Sequence, residues 1–437
     1  MRNIEVVLLF GAIAVLFAQA YYGFPATSDA YENFRIAKYL ENGGNYPVEG
    51  AAIDAGPYVY PPIYPLALLE FKLLSNSGYE FASNFLSYVF VFLVVGLLYL
   101  ILSGIFQNER KAALGALAAF TLPILIYRLV TPIAETLGLM MFLACVLAYQ
   151  KNRFKVLAFL LAVFPFAHSR SFVFTLIALG IISLMRKDVF ATAKSAVFGI
   201  AAFGIFHLAF PIYASDFNNP AVTVPSVLEM FPFAVLLQVA LGAIALAREK
   251  RGIDAFSAGI IFAFLASYLI LPFPFRHAIF MLLPLSVFAG EAMSIDRKVL
   301  IAFMFLIPFT VMQNVQLREA PFGFEAMVAM AGVGEYGGGN AIASFKNNYA
   351  LPFVAEKRII VGAFAEGMPD GKQRTEELAN YFGGGKAGLK ADLIGKYNIE
   401  LGMFEKRKAE YSYEERVADA KLLESDGYAA FSFKIPA

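Results

Sequence analysis

The sequence is poor in cysteine, tryptophan and charge, and each shortage excludes a class of site. Its single cysteine, Cys145, can form neither a disulfide within the chain nor a cysteine-based zinc site. The absence of tryptophan excludes every motif built on that residue. Basic and acidic residues number 35 and 34, a formal net charge of +1, so no overall basic field indicates a nucleic-acid partner.

The few charges are also unevenly placed. Charged residues make up 16% of the chain and hydrophobic residues 59%, whereas a soluble domain carries about 25% charge. The residues from Gln316 to the end hold 32 of the 69 charges. This composition predicts a membrane domain over residues 1–315 and a soluble domain over residues 316–437.

Apolar runs in the first part predict about eleven membrane-spanning helices. They cover residues 4–22, 80–105, 112–128, 132–150, 155–168, 171–186, 191–213, 231–247, 255–272, 277–294 and 299–315. The turns after even-numbered helices carry the lysines and arginines, which the positive-inside rule places in the cytoplasm. The predicted protein therefore crosses the plasma membrane many times, with a cytoplasmic N-terminus and an extracytoplasmic C-terminal domain. This topology holds whether the first helix is retained or is removed as a signal peptide.

The residues after 316 have the pattern of a small α/β domain. Strands are predicted at 358–364, 399–404 and 429–435, and helices at 375–382 and 390–397. Glycines 337–339 and 383–385 indicate loops, and they lack the strand-to-helix spacing of a phosphate-binding loop.

The first outer loop, residues 23–79, begins with the signals of a helix start. Ser28 is a good N-cap, and Asp29 and Glu32 then fall in the first turn, where the helix dipole favours acidic side chains. Phe34 and Ala37 lie on one face, which predicts an amphipathic helix on the outer membrane surface.

The same loop continues into a rigid aromatic turn. Pro61 and Pro62 force extended backbone between Tyr60 and Tyr64, and an apolar helix follows over residues 66–74. From the residues alone, Asp29 either caps its helix or takes part in catalysis.

Ionisable residues gather at the predicted outer helix ends. They are Arg128, Glu135, His168, Arg170, His207, Asp216, Arg276 and His277. Arginine in short outer turns runs against the positive-inside bias and needs a partner, and a phosphate group is a natural one because guanidinium binds it with two parallel hydrogen bonds. The alternative is that each charge ends its helix or pairs with a neighbour, as Arg128 could with Glu135.

A metal site is a further interpretation of the same residues. His168, His207 and His277 come from three different helices and could together bind a metal ion. A divalent ion such as Mg²⁺ or Mn²⁺ could instead be held by Asp29 or Asp216. The sequence does not distinguish between these two kinds of metal site, and no cofactor is otherwise indicated.

The order of these segments resembles the GT-C superfamily of polyprenyl-phosphate-sugar-dependent glycosyltransferases, and within it the protein mannosyltransferase and aminoarabinose transferase branch. The resemblance covers residues 1–315. The matching motifs are Asp29-Ala30-Tyr31-Glu32, residues 35–40, residues 60–64, Thr131–Leu137, and Arg276-His277 with Leu283-Pro284-Leu285. Ala30 stands where the family has a second acid, and no basic residue precedes Pro61. The family's oligosaccharyltransferase motif Trp-Trp-Asp-Tyr-Gly is absent, which argues against that subgroup.

The resemblance implies a hexosyl or pentosyl transferase that acts at the outer face of the membrane. Its donor would be a sugar on a dolichyl-type polyprenyl phosphate, and its acceptor a hydroxyl of a glycan, lipid or protein. Asp29, assisted by Glu32, would act as general base in one inverting displacement. The leaving phosphate would be bound by Arg128, Arg170, Arg276, His277 and His168, and Tyr60, Tyr64, Asp216 and Glu135 would support the loop or the acceptor.

Two other functions fit the sequence. A secondary transporter would need polar or broken helices near the middle of the bilayer, and the predicted helix centres here are almost free of charge. A catalytically inert GT-C-like scaffold would display its C-terminal domain to a partner, and it would tolerate substitution of Asp29.

Overall fold

The computed structural model describes residues 3–22, 28–46, 48–49, 57–58, 61–121, 133–209, 233–250, 252–270, 274–295, 324–336, 339–343, 350–360, 371–382, 387–406, 420–424 and 428–433. The chain forms two compact units. The first contains residues 1–25, 61–209 and 220–319. The second joins residues 26–60 of the first predicted outer loop to residues 320–437, together with residues 210–219.

The first unit is a helical bundle. Its helices are α1 (Asn3–Tyr22), α3 (Ile63–Ser75), α4 (Tyr79–Phe106), α5 (Glu109–Ala118), α6 (Ala134–Gln150), α7 (Phe154–Arg186), α8 (Val189–Ala209), α9 (Phe233–Arg248), α10 (Ala255–Ile270) and α11 (Leu282–Ile295). Short 3₁₀ segments follow α5 at Ala119–Thr121 and precede α11 at Pro274–Met281. The predicted helix at 299–315 lies outside the described residues.

Three of the described helices, Tyr79–Phe106, Phe154–Arg186 and Val189–Phe206, are long and apolar enough to cross a membrane. The bundle turns a broad apolar surface outward, as expected where lipid replaces water. On α4 and α8 this surface includes Phe81, Phe85, Phe92, Leu100, Phe190, Val197, Phe198, Ile205 and Leu208.

Helix α7 is a hairpin of two shorter helices. His168 has φ −165° and ψ 100°, which is extended backbone inside an otherwise helical segment. The Tyr149 side chain lies near both ends, 6.1 Å from the Phe154 ring and 5.3 Å from the Arg186 guanidinium carbon. A straight helix of 33 residues would hold its ends about 50 Å apart. The two predicted helices at 155–168 and 171–186 are therefore confirmed.

The basic turns of the bundle lie together at one end. Lys111, at the start of α5, contacts Glu249 beyond α9 and Glu291 near the end of α11. Gln150, at the end of α6, donates to the Ile101 carbonyl near the end of α4. We call this the basic end, and the opposite end, with the start of α6 and the His168 bend, the bend end.

Two predicted helices are corrected at their termini. The helix expected over 112–128 begins earlier, at Glu109, and is α-helical to Ala118 and 3₁₀ to Thr121, while residues 122–128 lie outside the described residues. The helix expected over 277–294 is 3₁₀ through Met281 and becomes α-helical at Leu282. Capping explains part of the first difference, because the Asn108 side chain accepts from the Arg110 and Lys111 amides and starts α5 earlier.

The second unit contains helices α2 (Ser28–Glu41), α12 (Phe324–Gly334), α13 (Leu351–Val354), α14 (Gly371–Phe382) and α15 (Ala387–Lys396). Strands β1 (Val48–Glu49) and β2 (Pro57–Tyr58) form a small antiparallel pair. Strands β3 (Ala341–Ala343), β4 (Leu401–Glu405), β5 (Ala420–Glu424) and β6 (Tyr428–Ser432) form a sheet in the order β3-β4-β6-β5.

The sheet of the second unit is mixed and has its own core. β3 and β4 are parallel, whereas β6 pairs antiparallel with both β4 and β5. Leu378 of α14 and Leu393 of α15 pack with Phe404 and Phe431 of the sheet in one buried cluster. The predicted helices 375–382 and 390–397 and strands 399–404 and 429–435 are present with shifted ends. Of the predicted strand 358–364, Arg358 forms a bridge to Asn340, and residues 361–364 lie outside the described residues.

Candidate functional site

Three segments of the first unit carry predicted site residues to the bend end. They are the start of α6 with Glu135, the bend with His168 and Arg170, and the 3₁₀ segment with His277. Aromatic contacts join them: the Phe174 ring lies 5.9 Å from Phe142 of α6 and 5.4 Å from His277. Residues from four predicted helices therefore converge on one region.

A glycine lets α6 approach the bend closely. A Cβ atom added to Gly138 would lie 2.5 Å from Ser171 Oγ and 3.0 Å from His168 Cβ, so no larger residue fits without a shift. Glu135 precedes Gly138 by three residues and therefore shares its helix face. Its side chain is 4% exposed, in the first turn of α6, where the helix dipole favours a carboxylate. This geometry directs Glu135 toward the bend rather than away from it.

His168 caps the second arm of the hairpin through its ring. The Ser171 amide donates to His168 Nδ1 at 3.2 Å, and Ser171 Oγ lies 2.6 Å from the same nitrogen. Because an amide nitrogen can only donate, Nδ1 must be the acceptor, and the neutral ring carries its proton on Nε2. His168 can therefore offer Nε2–H as a hydrogen-bond donor, while its Nδ1 is engaged and is not free to bind a metal.

His277 is part of a buried aromatic stack. It is 3% exposed, and its ring is stacked on Phe174 at 5.4 Å and on Phe280 at 6.1 Å. Phe280 is itself stacked on Phe174 at 4.4 Å. Arg276 precedes His277 in the same 3₁₀ segment. The stack fixes the backbone of this segment, since rotating the segment would disrupt both ring contacts with Phe174.

Tyr64 and Arg170 are also placed on the bundle. Tyr64 is fully buried at the start of α3, with its ring 6.2 Å from Phe90 of α4. The helix expected over residues 66–74 begins earlier, at Ile63, and Pro62 already has helical backbone (φ −78°, ψ −21°), so the extended backbone expected up to Tyr64 is corrected. Helix α3 contacts α4, α6 and α7. Arg170 follows His168 by two residues and is half-buried.

The acidic motif of the first outer loop forms the start of α2 in the second unit. Position 29 lies in the first turn of this helix. Glu32 is 3% exposed, and Arg35 donates to both of its carboxylate oxygens, at 2.7 and 3.0 Å. A carboxylate held in this two-point ion pair is better suited to orienting Arg35 and the helix than to accepting a proton.

The predicted partner of α2 is corrected. Its apolar face, expected to rest on the membrane surface, contains Phe34 and Ala37, and both are fully buried. Phe34 packs against Phe353 of α13. The expectation missed this because amphipathicity shows that a face is apolar but does not show what covers it.

The structure describes the remaining predicted site residues only in part or not at all. Arg128, Asp216 and Tyr60 lie outside the described residues. For Asp29, His207 and Arg276 the backbone is described and the side chains are not. Among the described residues no group of three or more His, Cys, Asp or Glu side chains is arranged to hold a metal ion.

Sequence reasoning did not single out Gly138, Ser171 or the Phe142–Phe174–Phe280 contacts. Gly138 had one available signal, which is its position one turn after Glu135 in a helix that is otherwise free of glycine. The aromatic residues had none, because phenylalanine is common throughout the chain, with 45 copies.

No family model matches the chain, and no curated protein matches it in sequence. Solved structures do share its fold. The apo structure of ArnT from Cupriavidus metallidurans matches with a TM-score of 0.65 at 12% identity, over 98% of each chain. The same protein bound to undecaprenyl phosphate gives 0.63 at 12% identity, again over 98% of each chain.

A second similar structure comes from an archaeon. AglB, the oligosaccharyltransferase of Archaeoglobus fulgidus, in complex with an inhibitory peptide and a dolichol-phosphate, gives a TM-score of 0.61 at 10% identity. The match covers 92% of this chain and 69% of that one. The chain thus has a helical membrane fold shared with these two proteins, and the predicted GT-C resemblance is confirmed at the level of the fold.

Proposed function

We propose that this protein is a membrane glycosyltransferase that moves a sugar from a polyprenyl phosphate to an acceptor hydroxyl on the outer face of the membrane. The observation that carries the proposal is the fold, which is shared over 98% of both chains with ArnT, a protein solved with undecaprenyl phosphate bound. AglB, which also shares the fold, was solved with a dolichol-phosphate. Two distant proteins of this fold therefore bind the same chemical class of lipid.

The proposed topology has about eleven spans, a cytoplasmic N-terminus and an outer C-terminal domain. It is supported by the grouping of the basic turns at one end of the bundle, since the positive-inside rule assigns that end to the cytoplasm. Glu135, His168, Arg170 and His277 then lie toward the outer face, where a lipid phosphate headgroup would be. The domain boundary near residue 315 belongs to the same proposal.

The proposed reaction is a single displacement at the anomeric carbon. The acceptor oxygen forms a bond to that carbon while the bond from carbon to the phosphate oxygen breaks, which inverts the centre and releases the polyprenyl phosphate. Asp29 takes the proton of the acceptor hydroxyl. Glu32 supports Asp29 by holding Arg35 and the first turns of α2 in place.

The leaving phosphate needs positive charge and hydrogen-bond donors. Arg276, with Arg128, Arg170 and His277, would stabilise the negative charge that builds on it. The tautomer of His168 suits the same task, because its Nε2–H is a donor that carries no charge. Glu135 would hold a neighbouring arginine in position, and Tyr60, Tyr64 and Asp216 would shape the acceptor side.

The test is a transfer assay with purified protein and a panel of polyprenyl-phosphate sugars. We expect Asp29→Asn to lower the rate by about 10²–10⁴-fold and Arg276→Ala by about 10²–10³-fold. Glu41→Gln, which neutralises an exposed acid at the end of the same helix, is the matched control and should keep full activity. Wild-type activity of Asp29→Asn would exclude Asp29 as the base.

The same assay addresses the open points of the proposal. Transfer that is lost with a chelator and restored by Mg²⁺ or Mn²⁺ would add a divalent ion to the mechanism. Absence of transfer with every donor, together with normal folding of Asp29→Asn, would favour the inert scaffold. A specific observation keeps that alternative, because Ala30 stands where a second acid is expected.

A further inference from the structure

Helix α2 has two faces with different neighbours. At about 100° per residue, Tyr31, Phe34 and Lys38 lie within about 60° of one another around the helix axis. Position 29 lies on the opposite side, together with Glu32, Asn33 and Ile36, because these positions follow it by three, four and seven residues. The two faces are about 170° apart. A contact made by the first face therefore sets the direction of the second.

The face of Tyr31, Phe34 and Lys38 is covered by Phe353 of α13 and by Glu356, two residues beyond the end of that helix. The Phe353 ring lies 5.4 Å from Phe34 and 6.1 Å from Tyr31, edge-on to the first and tilted to the second. Lys38 extends over the same ring, with Nζ 5.8 Å from its centroid, and forms an ion pair with Glu356. One phenylalanine is thus in contact with all three positions of this face.

The segment around Phe353 is tied to the sheet of the second unit. A Cβ atom added to Gly334 of α12 would lie 3.2 Å from Ala355 Cα, so α12 and the end of α13 approach closely. The Lys357 ammonium donates to the Tyr336 carbonyl at 2.7 Å. The Arg358 backbone then exchanges two hydrogen bonds with the start of β3, each 2.8 Å long. Residues 353–358 therefore connect this face of α2 to α12 and to the start of β3.

We propose that residues 351–356 form a clamp that orients α2, and that Phe353 is a positioning residue for the transfer reaction. The inference rests on the proposed function, in which Asp29 is the base. The clamp contacts the side of α2 that faces away from position 29, so it fixes the orientation and position of this part of the helix without touching the reacting atoms. In this arrangement the C-terminal residues contribute to catalysis through the geometry of the first outer loop.

The expected effect follows from the tolerance of proton transfer to position. A displacement of about 1 Å in a reacting group can cost about 10²-fold in rate. Removal of the Phe353 ring takes away the contacts with Tyr31 and Phe34 and leaves the Lys38–Glu356 pair, so the displacement should be partial. We expect Phe353→Ala to lower kcat by about 10- to 100-fold with little change in KM for the donor.

The experiment compares four variants of the full-length protein in the transfer assay. Phe353→Ala tests the clamp, and Phe353→Leu, which restores most of the apolar volume, should recover most of the rate. Phe433→Ala is the matched control, because Phe433 is a buried ring that packs on Phe404 in the same unit. The combined Asp29→Asn, Phe353→Ala variant then shows whether the two residues act together.

If Phe353 acts through Asp29, its removal should cause no further loss once the acid is gone. Additive losses in the combined variant would overturn the inference, because they indicate independent damage. Equal losses in Phe353→Ala and Phe433→Ala would also overturn it, since both would then report general weakening of the unit. If the wild type transfers no sugar from any donor, the proposed function fails, and if Asp29→Asn is fully active, the assignment of Asp29 as the base fails. If Asp29→Asn is inactive while Phe353→Ala is normal, the clamp fails alone.

A charge exchange gives an independent readout of the same contact. Lys38→Glu places two carboxylates against each other and should lower kcat, and adding Glu356→Lys should restore it. Restoration would show that α2 and residues 351–356 act as a pair during the reaction. Equal activity of the single and double variants, below wild type, would show that Lys38 matters for another reason and would count against the clamp.

Discussion

Lys111 at the basic end of the bundle offers a direct test of how burial changes the value of an ion pair. Its ammonium lies 2.9 Å from Glu291 Oε2 and 3.7 Å from Glu249 Oε1. The Glu291 side chain is 1% exposed and the Glu249 side chain is 44% exposed. One lysine therefore makes a buried and an exposed ion pair at the same time.

The magnitudes follow from the difference in exposure. Removing one partner of a buried ion pair costs about 3–5 kcal/mol, because the other charge remains in a poorly solvated site. An exposed pair contributes about 0–1 kcal/mol. We expect Lys111→Met to fall in the first range and Glu249→Gln in the second. The double variant Lys111→Met, Glu291→Met should regain most of the loss, since an apolar pair can replace a buried ion pair without penalty.

The only cysteine of the chain supplies the assay. Cys145 lies in α6 and is fully buried, so a thiol-reactive dye labels it only when the helical bundle opens. Each 1.4 kcal/mol changes the population of the open state about tenfold, and under conditions of rapid reclosing the labelling rate follows that population. Labelling of Lys111→Met in detergent should therefore be about 10²- to 5 × 10³-fold faster than in wild type. Cys145→Ser provides the blank.

Two results would refute this reasoning. Equal labelling rates for Lys111→Met and Glu249→Gln would show that burial of Glu291 does not set the strength of the pair. A double variant as unstable as Lys111→Met alone would show that packing of the lysine stem, rather than the stranded charge, accounts for the loss.

Three further predictions concern the bend and the second unit. Gly138→Ala should destabilise the bundle by about 1–3 kcal/mol in the same labelling assay, because its methyl group meets Ser171 Oγ at 2.5 Å. His168→Ala should lose about 0.5–2 kcal/mol with the helix cap. His168→Asn should keep that stability but lose transfer activity if Nε2–H is used. The Lys38 ammonium lowers the pKa of Glu356 below its ordinary value. The Lys38–Glu356 ion pair therefore contributes its full stabilisation when the pH is above the ordinary pKa of a glutamate, and this stabilisation is lost as the pH falls through the lowered pKa. Comparing the unfolding of wild type and Glu356→Gln across acidic pH would measure this loss.

Several features of the site could be predicted from the sequence because they depend on local order. The helix that begins at Ser28, the helix after Pro61-Pro62 and the break near His168 could be expected from acidic, proline and polar residues within a few positions. The gathering of Glu135, His168 and His277 could also be expected, since each is near a predicted helix end on the same side. Such signals need no knowledge of what each helix packs against.

Other features depend on contacts between distant parts of the chain. The buried face of α2 reads as a membrane-surface face in the sequence, because an apolar stripe looks the same against lipid and against protein. Its partner Phe353 is more than 300 positions away, and it is one phenylalanine among 45. The ring stack at His277 gives no signal in the sequence, and the close approach at Gly138 gives only the position of a single glycine in α6.

The sequence by itself determined that this chain is a helical membrane protein, which turns are basic and where the helices break, because hydropathy, charge and capping act over short distances. Only the tertiary structure decided that the hairpin at His168 returns to Tyr149 and that α2 joins the unit of residues 320–437. The physical reason is that burial is satisfied by any apolar surface. The sequence shows which helix faces are apolar and must be buried, and only the folded structure shows which residues bury them.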